Sequence, residues 1–296
     1  ERCISGCYKL NQINCILELK KFICKTENIQ ECGECPICFG TIETCLNGDD
    51  NVQQIQNIQN DITKVDEALK RFDVGISTQQ ALDAKEDQII NGCLIIKNEY
   101  YQARAYYGRN DFESVIALRL KYVSKDMFMN AESLQTVIMP NAVQIADGDC
   151  YNSAFIGTKV MNCFFPKLLR IGNYSFSQCK TGELDSDNLS SLKMVGDGGF
   201  FCGCITSVNL PNLEIVGSGA FFNCSITSIQ LPNLAHIGYN GFQACPLTSV
   251  NLPNLLSIRE EGFNNCENLK IFSAEKLTKI GQYSFSNCST LCSINQ

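Results

Sequence analysis

The residues best equipped for chemistry stand near the amino terminus. Eight cysteines fall within residues 1–45: Cys3, Cys7, Cys15, Cys24, Cys32, Cys35, Cys38 and Cys45. Thiolates are nucleophiles and soft metal ligands, so three chemistries suit such a cluster. Cys35-Pro36-Ile37-Cys38 has the spacing of a dithiol redox motif, the mark of a thiol-disulfide oxidoreductase. Cys32, Cys35, Cys38 and Cys45 could together ligate zinc. All eight could instead pair as disulfides and staple a region too small for its own core. No βαβ pattern surrounds the CxxC. The whole chain holds 19 cysteines, a density that belongs to an oxidising compartment. Disulfides are therefore the expected state, and neither a metal nor a cofactor is expected. The odd count leaves at least one thiol free or paired between chains.

The remainder offers little for catalysis, and no catalytic residue is nominated. A Ser–His–Asp device would rest on His236, the one histidine, which lies in a turn with no special context. The carboxylates are scattered, and Asp187 alone intrudes into an apolar pattern, where a loop is expected. The formal charge of −7 is spread thinly and no basic patch exists, so nucleic acid is a poor partner. No run of apolar residues is long enough to span a membrane. Glu1 reads as the first residue after removal of a leader, which puts the protein outside the cell or on its surface. Asn173, Asn188, Asn223 and Asn287 stand in Asn-x-Ser sequons and are the N-glycosylation candidates.

What must position any site is a repeat. Residues 205–266 read ITSVNLPNLEIVGSGAFFNC, ITSIQLPNLAHIGYNGFQAC and LTSVNLPNLLSIREEGFNNC, at a period of 21. Self-similarity at this period marks a solenoid, in which no repeat buries its apolar positions alone and stacking supplies the core. The clearest copy places apolar residues at Leu247, Val250, Leu252, Leu255, Ile258 and Phe263. The same template fits eight copies from Phe112 onward, with a partial ninth at Leu291 and Ile294. Cys150 falls in the Phe position of the second copy, and Leu184, Asp187 and Leu189 begin a degraded one. In each copy a short strand forms around the Val position, and Pro-Asn turns the chain out of the sheet. Cys179, Cys224, Cys245, Cys266 and Cys288 follow the Phe by three residues and form a column of small buried groups. Cys202 and Cys204 flank that column and are candidates to bridge to Cys179.

The LPNLxxIGxxxFxxC pattern resembles the BspA-type leucine-rich repeat, over roughly residues 112–296. The resemblance implies an α/β solenoid on a surface or secreted protein that adheres to proteins or matrix and performs no catalysis. It says nothing of residues 1–110.

Those residues read as a cysteine-rich helical region over 1–50, a helical arm over 51–92 and a cap for the solenoid over 93–111. In the arm, Ile55, Ile58, Ile62, Val65, Leu69 and Phe72 repeat at spacings of three and four, an a/d seam about three heptads long. The seam either rests on its own chain or associates with another. A second helical stretch is expected over Thr78–Ile90. Tyr100, Tyr101, Tyr106 and Tyr107 lie in the cap segment, as covering groups or as a contact surface.

The positions flanking the Val of each strand form two columns on the concave face. Ser186, Ser207, Ser228 and Ser249 belong to one; Asn188, Asn209, Gln230 and Asn251 belong to the other. No charge interrupts them, so a strongly charged ligand fits poorly. Nearer the amino terminus the second column reads Ile116, Ile138 and Phe164, an apolar patch that something must cover. Two functions follow. One is a self-assembling structural protein, a homo-oligomer or head-to-tail polymer joined through the helical arm and through Leu291 and Ile294. The other is an adhesin that recognises a protein or neutral glycan on the concave columns.

Overall fold

The computed structural model describes residues 49–180, 183–184 and 186–295, with backbone alone for 49–59 and Glu183. The eight cysteines of residues 1–45, with their disulfide, zinc and redox readings, lie outside the described residues. The chain divides into two compact units: Glu1–Asp73 with Ser77–Leu82, and Val74–Ile76 with Asp83–Gln296.

The first unit contains helix α1 (Asp49–Arg71), with Lys70 and Arg71 in its last turn, where cations suit the helix dipole. Ile62, Val65, Ala68 and Leu69 are buried, and Phe72 is half-buried. Ile55 and Ile58 lie on the backbone of α1. The chain leaves α1 through Asp73, which is left-handed at φ 51°. Helix α2 (Thr78–Asp83) is one and a half turns long and starts on a reciprocal cap. Ser77 Oγ accepts the Gln80 N–H at 3.2 Å and Gln80 Oε1 accepts the Ser77 N–H at 2.8 Å. The Thr78 hydroxyl donates to the Asp66 carboxylate on α1.

The helix expected over Thr78–Ile90 therefore stops at Asp83. Gln88–Ile90 is instead a strand, paired antiparallel with Cys93–Ile95. The reason is local. Asn91 and Gly92 both take positive φ, 48° and 73°, as a tight hairpin turn requires, and Asn-Gly is the dipeptide that does so at least cost.

The second unit is a β-solenoid of about nine turns. One set of strands runs in parallel register down one side, including Ser114–Ile116, Thr136–Ile138, Ser207–Asn209, Ser228–Gln230, Ser249–Asn251 and Ile271–Ser273. A second parallel sheet of eight two-residue strands, Tyr122–Val123 to Lys279–Ile280, runs down the other. The expected α/β character is corrected: among the described residues no repeat contains a helix, and helices occur only in residues 49–83. The outer turns, except the one around Phe155, instead carry two left-handed residues four apart, such as Gly198 and Cys202, Gly219 and Asn223, or Asn240 and Ala244. That geometry points backbone N–H groups along the stack. Asn240, Phe242 and Ala244 donate to the carbonyls of Glu260, Gly262 and Asn264 in the next turn, at 2.8–3.1 Å. An α-helix would spend the same donors within one turn.

Midway between each left-handed pair, an aromatic ring enters the core. Tyr106, Phe128, Phe155, Phe176, Phe200, Phe221, Phe242, Phe263 and Phe285 form an unbroken spine. Neighbouring rings are nearly parallel, 3–11° apart, with centroids 4.7–5.7 Å apart. Two registers differ from the template. Phe155, not Cys150, fills the second copy's position; Cys150 is exposed. An extra loop bulges out there, held by Asp149 Oδ1, which accepts the N–H groups of Tyr151 and Asn152 at 2.9 Å. In the degraded copy Leu184 pairs with Val208, so it takes the strand position assigned to Asp187, and Asp187 is an exposed loop residue.

The solenoid also starts earlier than the template. Leu94 pairs with Val115 and Tyr106 stacks on Phe128, so residues 93–111 make a turn themselves. Asp87 fastens it, accepting hydrogen bonds from Tyr101 and Tyr106 at 2.6 and 2.5 Å. Burial and that carboxylate push the Tyr106 hydroxyl far above its ordinary range. Tyr100 and Tyr107 stay exposed.

Candidate functional site: the concave face

The short strands display side chains alternately, so the central Val208, Ile229 and Val250 are buried while their flanking residues face outward. In the carboxy-terminal half the register is continuous. Ser207 lies opposite Ser228 and Asn209 opposite Gln230, and Ser249 and Asn251 repeat the pattern a turn later. Asn209, Ser228, Gln230, Ser249 and Asn251 are exposed and Ser207 is half-buried. Among the described residues none of these six makes a side-chain hydrogen bond. Their donors and acceptors are unspent, at the strand spacing of about 4.8 Å along the stack. None of the six titrates, so what they bind should depend little on pH.

The amino-terminal half of the same face is different. Ile116, Ile138 and Phe164 are 0–4% exposed, and Ser114 and Thr136 are buried beside them. Closed in this way, the three apolar residues nominated for binding have no open surface to offer. Asn162 spends its amide on Thr136 Oγ1 at 3.2 Å. Between the halves the insertion breaks the expected columns. The register sets Glu183, not Ser186, opposite Ser207, so the strand positions include a charged residue. Asn188 keeps its place through its carbonyl, which accepts the Phe165 N–H at 2.8 Å, but its side chain is buried. The working ladder therefore spans Ser207 to Asn251.

The cysteine column forms a second, largely buried ladder. Cys224, Cys245, Cys266 and Cys288 each donate the thiol to a spine phenylalanine carbonyl one turn back, at 3.1–3.2 Å. Cys179 does so to Phe155 at 3.5 Å. Burial pushes Cys179, Cys224 and Cys266 up to about 12 and Cys245 well above its usual value. Such thiols stay protonated and unreactive. Cys202 and Cys204, expected as partners of Cys179, are free thiols here.

The remaining candidates scatter. His236 is exposed and pairs its Nδ1 with Ser257 Oγ at 2.9 Å. Of the sequons, Asn223 and Asn287 are exposed and Asn173 is half-buried, its Oδ1 accepting the Asp197 N–H. No group of acidic, histidine or cysteine side chains able to hold a metal occurs among the described residues. No helix there is long and apolar enough to cross a membrane. The template missed one contribution, the asparagine of Leu-Pro-Asn. Asn212, Asn233 and Asn254 donate Nδ2 to the carbonyls of Ser190, Pro211 and Pro232 one turn back, at 2.7–2.8 Å. Its recurrence in copy after copy was the available signal.

A stacked array of turns of 21–26 residues with a spine of aromatic rings and an asparagine ladder defines a leucine-rich-repeat solenoid. The chain belongs to the BspA-type leucine-rich-repeat family, whose repeat region matches in six copies over residues 99–213 and 193–296. Among solved structures it is similar to a leucine-rich repeat protein from Bacteroides ovatus, at 20% identity and TM-score 0.48, over 65% of this chain and 57% of that one. It is also similar to a leucine-rich cell surface protein from Faecalibacterium prausnitzii, at 20% identity and TM-score 0.40, over 68% and 69% of the two chains. A leucine-rich repeat protein of T. pallidum follows at 17% identity and TM-score 0.32, over 69% and 74%. The chain thus spans little more than half the length of the first of these. No curated protein matches it in sequence.

Proposed function

We propose that this is a non-enzymatic binding protein, displayed on a cell surface or secreted, that engages an uncharged polar partner through the concave ladder. The observation that carries this reading is the row of six exposed or half-exposed side chains whose hydrogen-bonding capacity is unspent. Membership of the BspA-type family supports a surface or adhesive role. A charged partner would find no counter-charge on these six positions, so a neutral glycan or an uncharged patch of protein is the better fit. The test is adhesion of the immobilised chain to matrix proteins and neutral glycans. Replacing Asn209, Gln230 and Asn251 together by alanine should abolish the adhesion. Undiminished adhesion by that triple variant would remove the reading.

Self-association is the second reading, favoured by Ile280 and Ile294, each 45% exposed on the last described turns. The helical seam favours it less, because Ile62, Val65 and Leu69 are already buried in the single chain. Sedimentation should show association that Ile294→Asp weakens. A monomer at high concentration would exclude it.

A further inference from the structure

The outer turns carry a groove of about 350 Å³ that the concave reading does not use. It crosses four successive turns, from Tyr174 through Gly198 and Gly219 to Asn240. These four occupy the same left-handed position, where φ is 55–60°. Gly198 has no room for a side chain, because the Tyr174 ring covers it: a Cβ there would come within 2.5 Å of Tyr174 Cε1. Gly219 is open: a Cβ there would have no neighbour nearer than 3.8 Å. Gly219 is therefore the floor of the groove. Phe201 and Phe222 wall it, stacked at 4.9 Å and 5°. Each follows a spine phenylalanine directly, at a position where the flanking turns place Ser177 and Gln243. Two adjacent turns thus present half-exposed rings where the flanking turns carry polar side chains. Tyr239 closes the far end, with Arg259 stacked at 5.0 Å and donating to its hydroxyl at 3.0 Å.

The polar groups are as informative as the rings. No charged side chain lines the groove. Asp197 beneath it is occupied by the Ser218 N–H at 2.7 Å. Among the described residues the Tyr174 and Ser218 hydroxyls make no hydrogen bond. The rings make the groove an apolar bed against which the C–H groups of a saturated ring can pack. The unspent hydroxyls suit a polyol, and Asn240, whose Nδ2 donates to Gln243 Oε1 and to Glu261 Oε2, offers its carbonyl oxygen. A neutral lining disfavours sulfated, phosphorylated or carboxylated ligands. We propose that this groove is a binding site for a neutral pyranose of a glycan, lying over Gly219 among Tyr174, Phe201, Phe222 and Tyr239.

The test is calorimetric titration of the full chain with neutral gluco-, galacto-, manno- and N-acetylglucosamine oligosaccharides and with sulfated counterparts. At least one neutral sugar should bind saturably. Gly219→Asn should weaken it by about tenfold or more, because it fills the floor with the residue that Asn240 already places one turn on, in the same backbone conformation. Phe222→Ser should act likewise, and both variants should unfold at the wild-type temperature. The triple alanine variant of Asn209, Gln230 and Asn251 should bind as tightly as the wild type, which separates this site from the concave ladder. Absence of binding by every neutral sugar, tighter binding of a sulfated one, or full affinity in Gly219→Asn would overturn the proposal.

Discussion

The two halves of the solenoid use one strand pattern to opposite ends. In the amino-terminal half the outward strand positions hold Ile116, Ile138 and Phe164, and all are buried. In the carboxy-terminal half they hold Asn209, Gln230 and Asn251, and all are exposed. The inward Val115, Val137, Val208 and Val250 are alike in both. The stack is set by the inward residues, the spine and the cross-turn ladders. The outward residues are free to vary, and they decide whether a stretch of the same fold is closed structure or open surface.

The spine gives the largest expected effect. Phe221→Ala removes a fully buried ring stacked on both sides, at 5.6 and 5.2 Å, and should cost roughly 3–5 kcal/mol. Phe285 is half-buried, and its alanine variant should cost only about 1–2 kcal/mol. Urea unfolding measures both. Equal losses would mean that position along the stack carries no energetic weight.

The outward positions come next. Ile138→Ala should destabilise by roughly 2–4 kcal/mol, since the side chain is wholly buried. Asn251→Ala, a turn-for-turn equivalent in the open half, should change stability by less than about 0.5 kcal/mol. If Asn251→Ala proved as costly as Ile138→Ala, the ladder would be structural and its role in binding would fall.

Much of this was legible in the residues, and the misses share a cause. Periodicity places Val250, Leu252, Leu255, Ile258 and Phe263 inward because every copy must bury the same side of the chain. Irregular turns defeat a fixed template. Counting positions assigns Cys150 to a core position that Phe155 fills, and it puts Asp187 where Leu184 stands, although Asp187 itself is the loop residue expected of it. The hairpin at Asn91-Gly92 had a clear local signature that the helix-like run around it obscured. The absence of helices was harder to see. It depends on residues as varied as Tyr174, Cys202, Ala244 and Glu261 adopting left-handed backbone, which their types do not advertise. The candidate ladder was legible from Ser207 to Asn251, where the period is regular, and misread at Ser186 and Asn188, where it is not.

Alkaline titration probes the thiol column, which belongs almost wholly to the carboxy-terminal half. At the equivalent positions the amino-terminal half has Ala131 and Thr158. Burial raises Cys179, Cys224 and Cys266 from 9.0 to about 12 in the folded chain. Unfolded, these thiols ionise near their ordinary value, so the folded state binds the proton more tightly. The stabilisation is complete below pH 9 and is lost as pH rises from there toward 12. Denaturation midpoints should therefore fall above pH 9, and replacing Cys245 and Cys266 by alanine should flatten the fall. In native protein, thiol reagents should reach the exposed Cys150, Cys204 and Cys292 and spare the column. Rapid labelling of Cys245 would show that the column opens far more readily than its burial implies.

The smallest effect compares one bond in both halves. Asn141 donates to the Leu118 carbonyl at 2.7 Å and Asn233 to the Pro211 carbonyl at 2.8 Å, each one turn back. Asn141 is half-buried and Asn233 is exposed. Removing either amide leaves a backbone carbonyl without its partner, and water replaces that partner more easily where the surface is open. Asn141→Ala should therefore cost about 1–2 kcal/mol and Asn233→Ala about 0.5–1 kcal/mol. Hydrogen exchange should show faster opening of the turns that flank each substitution, because a solenoid transmits the loss mainly to nearest neighbours. A reversed order of cost would mean that the regular half depends on its asparagine ladder more than the irregular half does. The open concave surface would then rest on bonds made at its edge rather than on the spine beneath it.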